Sequence, residues 1–234
     1  VVTFAGNITE KLAMELANKF FGAISGKHSR KFEALKEYGK EHVYLRTKNT
    51  EQAHLVLGVP GPSSLDKEHF NHKILAVILG GNMSSRMFLN IREARGLCYY
   101  IATETDNYLD AGSLSTRAGV DQSRLHEAIK AIRHEYDVCA KDGITDEELT
   151  RAKEYLKGKI TLSLEDSEER AHFFGKQELL YPKMRDIEEY LAEIMKVKKE
   201  DVNALAKKLL KPEELRLVVI GREEGKDALS SLLQ

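Results

Sequence analysis

Cysteine is scarce in this sequence, and charge of either sign is barely in excess. Cys98 and Cys139 are the two cysteines among 234 residues. Neither lies in a CxxC or other metal-spaced pattern, so neither a disulfide framework nor a cysteine zinc site is implied, and a reducing, cytoplasmic compartment is mildly favoured. Thirty-six Lys and Arg against 37 Asp and Glu leave a net charge of -1, which gives no field to attract nucleic acid or an anionic membrane surface. No run approaches the roughly 18 apolar residues of a membrane span. The chain opens on "VVTFAGN", with no initiator Met and no basic n-region, and is expected to be a fragment of something longer. H-x-x-E-H, H-E-x-x-H, the P-loop, G-x-S-x-G and the dinucleotide fingerprint are all missing.

What is present is enough to build a core. Hydrophobic residues make up 42% of the chain, sufficient for one large domain or two small ones. "VVTFAG" reads as a short buried strand. "TEKLAMELANKFFG" reads as a helix with Thr9 as N-cap, Leu12, Leu16, Phe20 and Phe21 on one face and Gly22 at its stop. Residues 22–39 read as a surface connection. "EHVYLRTK" and "EQAHLVLGVPG" alternate as strands around a polar "NT" turn, which predicts a hairpin ended by Pro60, Gly61 and Pro62. From Leu65 the period becomes helical through Phe70, Ile74, Val77 and Ile78 and runs into Gly80 and Gly81, where positive φ is expected to stop the helix. Ser84 or Ser85 is the expected cap of the next helix, and Gly96 its end.

"LCYYIATETDNYLDAGSLSTRAGV" predicts two more strands with a turn near Asp110 to Gly112. The rest is helical until "LRLVVIG", a buried strand. Thr145 and Glu148 stand in capping-box register. Strands in sequential pairs with helices gathered on one face describe an α+β two-layer domain with a mixed, mostly antiparallel sheet.

Isolated residues offer little chemistry. Glu68, His69 and His72 on one helix supply nitrogen and oxygen donors, but zinc needs a further ligand that the sequence does not point to. His126 and His134 are eight apart and read as a solvated face. Ser84 and Ser85 lack a histidine and acid in order and read as caps. Gly80 and Gly81 follow a helix, where a P-loop needs a strand. Arg86 and Arg95 either line a site or carry surface charge.

One segment is specific. "LGGNMSSRMFLNIREARGLCYYI" resembles L-G-G-G-M-S-S-R-L-F-x-x-V-R-E-x-R-G-L-A-Y-S-V of the M16 zinc metallopeptidases, the family of pitrilysin, insulin-degrading enzyme and mitochondrial processing peptidase. "EQAHLVLGVPG", "YLDAGSLSTRAGV" and "GITDEELTRAKEYLKGKITLSLEDSEERAHFFG" resemble that family's neighbouring elements, in order, so the likeness spans essentially residues 1–234 as a single domain. It implies the αβ roll of an M16 half, with helices packed on one face of the sheet.

The resemblance further implies the zinc-free second half of a pair that encloses a chamber. The partner half, in the same polypeptide or a separate subunit, would hold the zinc, and the substrate would be an unstructured peptide. Arg92 and Tyr99 match the Arg and Tyr, seven positions apart, that reach substrate in that family. A guanidinium and a phenol are suitable donors to an oxygen that gains charge during peptide hydrolysis. Asn82 and Cys98 depart from the family's glycine and alanine. The chain alone would be inactive, its uncovered interface would favour self-association, and the alternative role is a scaffold or interaction subunit of the same family.

Overall fold

Alternating burial builds a single sheet. The computed structural model describes residues 1–26, 33, 35, 39–223 and 225–233. Five strands, β1 (Val43–Thr47), β2 (Gln52–Gly61), β3 (Cys98–Asn107), β4 (Gly112–Asp121) and β5 (Arg216–Gly221), lie in the order β1-β5-β2-β4-β3. The β1–β5 pair is parallel and the other pairs are antiparallel. The chain forms two compact units, one of Leu35–Glu154 with Glu193–Gln234 and one of Val1–Ala34 with Tyr155–Ala192. The sheet belongs to the first.

In that larger unit one sheet face is core. Ala53, Leu55, Leu57 and Val59 of β2, Leu114, Ala118 and Val120 of β4, and Leu217 and Val219 of β5 are all buried. Helices α2 (His69–Ala76), α3 (Leu125–Asp142) and α7 (Lys199–Leu209) pack against the sheet. The alternate positions, among them Tyr44, His54, Val56, Glu104, Arg117 and Val218, are exposed. This one-sided cover is the pattern of an antiparallel α+β sheet, as the sequence predicts.

The expected hairpin does not form. β5 stands between β1 and β2, paired with both. Its Leu217 and Val219 are fully buried while only Val43 of β1 is, so the more apolar strand takes the interior position and β1 the edge. The expected N-terminal strand is also absent: residues 1–6 join no ladder, and Val1, Val2 and Phe4 are exposed.

Helix α1 (Glu10–Phe21), in the smaller unit, starts where expected, with Thr9 Oγ1 accepting from the Leu12 N–H at 3.3 Å. None of its residues is buried, however, so its apolar stripe is not a core face. Much of the predicted 22–39 connection lies outside the described residues. Helix α4 (Asp146–Ser163) begins in the larger unit with the anticipated capping box, Thr145 N–H donating to Glu148 at 2.8 Å and Glu148 N–H to Thr145 Oγ1 at 3.1 Å. Helices α5 (Ser167–Leu180) and α6 (Ile187–Lys196) follow. In the smaller unit Asp166 caps α5, and Gln177 holds Arg185 by two hydrogen bonds to its backbone. A terminal helix, α8 (Lys226–Ser231), is not foreseen.

Helix α2 ends in a π-helical turn, Val77–Gly81, and neither glycine there has positive φ. Gly80, at φ -160°, is instead a point of close approach: a Cβ on it would overlap Thr103 Oγ1 and lie 2.5 Å from the Thr103 backbone nitrogen. Thr103 begins a buried chain of hydroxyls, 2.7 Å to Thr116, then 2.8 Å to the Tyr136 phenol, which donates to the Leu57 carbonyl at 3.2 Å. The chain ties β3, β4, α3 and β2 together.

His72 is fully buried on α2. Its Nδ1 accepts from Asn107 Nδ2 at 3.1 Å, and its Nε2 lies against Gly61 with no hydrogen-bond partner among the described residues. Burial, and next the charge of Lys73, push its pKa down from 6.5 to about 4. Between these values the unfolded chain binds a proton that the folded chain does not. Stability should therefore be fully present above the ordinary value of 6.5 and fall as pH drops toward about 4, by about 3 kcal/mol in total. Urea unfolding between these limits should show the slope, and His72→Gln, which keeps an acceptor for Asn107 but does not titrate, should flatten it.

Candidate functional site

The segment from Leu79 to Ile101 builds two turns and a bulge. Ser85, one of the two expected caps, stands just ahead of the segment's second helical piece, its carbonyl accepting from the Leu89 N–H at 3.0 Å. Asn82, in extended backbone, ends the first piece and shapes the turn between them. Its Oδ1 accepts from the Ser84 N–H at 2.8 Å, and its carbonyl accepts from Ser85 Oγ at 2.6 Å. One helical turn leads into a second π-helical stretch, Phe88–Glu93, where Arg92 places its guanidinium over the Phe88 ring at 4.9 Å. Arg92 is exposed and makes no ion pair among the described residues.

Gly96 turns the chain at φ +57°, in the left-handed region that side chains with a Cβ resist. Gly96 N–H donates to the Arg92 carbonyl and Leu97 N–H to the Ile91 carbonyl, both at 3.1 Å. Arg124, which the sequence does not single out, closes the joint from outside. Its Nη1 donates to the carbonyls of Arg95 and Gly96 at 3.3 and 3.2 Å, while Nε and Nη2 grip Glu127 at 3.0 and 3.1 Å. Nothing in residue spacing marks Arg124 as a member of the joint, because Arg95 and Gly96 lie nearly thirty residues away.

Past the joint, β3 starts with a bulge. Cys98 pairs with Val120 and Tyr100 with Gly119, so Tyr99 is the extra residue. A bulge of this kind re-aims side chains. Tyr99 is 60% exposed and Tyr100 40%, between half-buried Cys98 and buried Ile101. Strict alternation would have turned one tyrosine inward. Burial pushes the Cys98 thiol up to about 11, against the opposing pull of Arg92. Arg92 and Tyr99 thus stand at the two ends of one hydrogen-bonded joint, both exposed.

The candidate zinc donors are not brought together. Glu68 pairs with Lys208 at 2.7 Å, His69 lies edge-on to Phe70, and His72 is sealed in the core. No group of three His, Cys, Asp or Glu among the described residues is disposed to hold a metal ion. The described residues do not fit a catalytic zinc. Of the other histidines, His126 meets Glu223 at 2.7 Å and His134 is exposed.

Arg86 is a structural residue. Its Nε and Nη2 grip both Glu148 oxygens at 2.6 and 2.8 Å, and Nη2 also donates to the Gly143 carbonyl at 2.8 Å. Burial works to raise the Glu148 carboxyl, but the bonds from Arg86 and Thr145 outweigh it and hold it below its ordinary value. The side chains are 13% and 16% exposed, so removing one strands the other in a largely dry site. Arg86→Ala should destabilise the fold by about 3 kcal/mol, the lower end of what breaking a buried pair costs. Thermal melts would read it, with Arg95→Ala, at an exposed position, as a near-neutral control.

The family model for the peptidase M16 inactive domain matches residues 1–156. The chain belongs to the peptidase M16 family. It carries that family's inactive, non-catalytic domain. It is 38% identical over 186 residues to the uncharacterized zinc protease SCO5738 of Streptomyces coelicolor, covering 80% of this chain and 40% of the relative. It is 34% identical over 209 residues to the uncharacterized zinc protease YmxG of Bacillus subtilis, covering 89% and 51%. The chain therefore spans about half the length of the curated relatives it matches. Among solved structures, an M16 inactive domain from Pseudomonas fluorescens superposes with a TM-score of 0.83 at 20% identity, over 94% of this chain and 53% of that one. A chain of complex III2 from Candida albicans gives 0.80 at 14%, over 97% and 57%. At those identities the likeness is one of fold, and it agrees with the mixed, mostly antiparallel sheet with helices on one face. No helix among the described residues of this M16 domain is long and apolar enough to cross a membrane.

Proposed function

We propose that this M16 inactive domain is the zinc-free half of a zinc endopeptidase that encloses and cleaves unstructured peptides, with Arg92 and Tyr99 as its contribution to the site. The observation that carries the reading is the joint at Gly96, which leaves a guanidinium without a carboxylate partner among the described residues at one end and an exposed phenol at the other. The zinc-bearing half supplies Lewis-acid chemistry. On this side, Arg92 and Tyr99 donate hydrogen bonds to the substrate carbonyl oxygen as it gains charge. Their own frame is preorganised, which keeps reorganisation small during the reaction.

Mixing this chain with the zinc-bearing M16 half should give a complex that cleaves an unstructured peptide, while neither half alone does so. A zinc-bearing half that is fully active alone would overturn the reading. The likeness to a chain of complex III2 supports a second reading, a scaffold subunit. That reading expects a stable complex with no cleavage.

A further inference from the structure

Tyr100 does not match the family pattern on which Arg92 and Tyr99 are assigned, yet it is the better anchored of the two tyrosines. It lies on β3 directly opposite Gly119 of β4, which is in turn directly opposite His54 of β2. The phenol reaches across the glycine and meets His54 Nδ1 at 3.1 Å, with the two rings stacked at 6.2 Å. Only a residue without a side chain permits this. A Cβ at position 119 would overlap Tyr100 Cε1 and sit 3.0 Å from both Tyr100 Cδ1 and Gln52 Oε1. Tyr100 therefore spans three strands from the second position of the bulge whose first position is Tyr99.

A bulged residue lacks the ladder bonds that hold its neighbours, so Tyr99 is positioned only by what flanks it. On one side stands Cys98, half-buried and paired with Val120, behind buried Leu97. On the other stands Tyr100. We infer that Tyr100 and His54, laid over Gly119, are positioning residues that fix the bulge and so aim Tyr99. This rests on the proposed role of Tyr99, and deepens it by naming what orients that phenol.

Two measurements test the inference, one independent of catalysis. In the assembled enzyme, Tyr100→Ala and Gly119→Ala should each lower kcat roughly tenfold with KM little changed, the order expected for a small misplacement of a donor. Tyr100→Phe, which keeps the ring over Gly119, should recover much of the loss. In a Tyr99→Phe background the same changes should add nothing, because the group they aim is gone. A full tenfold loss in that background would overturn the inference. The chain contains no tryptophan, so Tyr99→Trp provides a single indole emitter at the bulge. Adding Tyr100→Ala or His54→Ala to that variant should lower the anisotropy of the indole emission while far-UV circular dichroism is unchanged, and unchanged anisotropy in both would overturn the inference. If Tyr99→Phe itself retains normal turnover, the proposed site falls, and the fluorescence arm still decides whether the pair holds position 99.

Discussion

Arg92→Ala and Tyr99→Phe should each lower turnover of the assembled peptidase by about 100- to 1000-fold, the usual loss when one preorganised donor to a developing oxyanion is removed. Neither should matter much to folding. Arg92 is exposed and touches the Phe88 ring, and Tyr99 is 60% exposed on the bulge, so each change should cost within about 1 kcal/mol. The double variant should be less than additive, since in the proposed site both groups serve one oxygen. Steady-state kinetics on an unstructured peptide and thermal melts of each variant check this. Near-normal turnover in both single variants would remove Arg92 and Tyr99 from the site and leave the segment as a structural joint.

The second large effect concerns stability. Gly80→Ala should destabilise the fold by about 3 kcal/mol, near the top of the range for overpacking, because the new methyl overlaps the Thr103 side chain and lies 2.5 Å from its backbone nitrogen. Thr103 cannot retreat without breaking its 2.7 Å bond to Thr116 and the hydroxyl chain beyond it. Gly81→Ala is the informative neighbour. Its methyl meets Val77 side-chain atoms at 3.1 and 3.3 Å, a contact that a few tenths of an ångström relieve, so its cost should be well below that of Gly80→Ala. Urea midpoints at fixed m-value would separate the two.

That contrast marks the boundary of what the chain reveals before it is folded. Gly80 and Gly81 are the same letter in adjacent positions, and local pattern assigns both to a helix stop. Which one meets β3 depends on packing between elements more than twenty residues apart. Strand and helix placement is legible because periodicity of two and of 3.6 is local. Strand partners are not, and β1 and β2 read as a hairpin only because they are consecutive. Gly96 is legible, since a turn closing a helix demands positive φ at a residue without a side chain. The bulge at Tyr99 has one cue, two consecutive tyrosines that break alternation. Arg86 shows none, as its carboxylate partner stands 62 residues away.

The position of β5 also bears on the order in which the molecule is made. A ribosome delivers β1 and β2 before β5, and β1 must wait for residues 216–221, far downstream, before it acquires a neighbour in the sheet. Until then only β2, β4 and β3 have their partners, and β2 presents an open edge bearing Leu55 and Leu57. Such late, long-range closure makes folding slow and leaves an aggregation-prone template during synthesis. Release of the chain before β5 emerges should leave a nascent product that is insoluble unless a chaperone covers that edge.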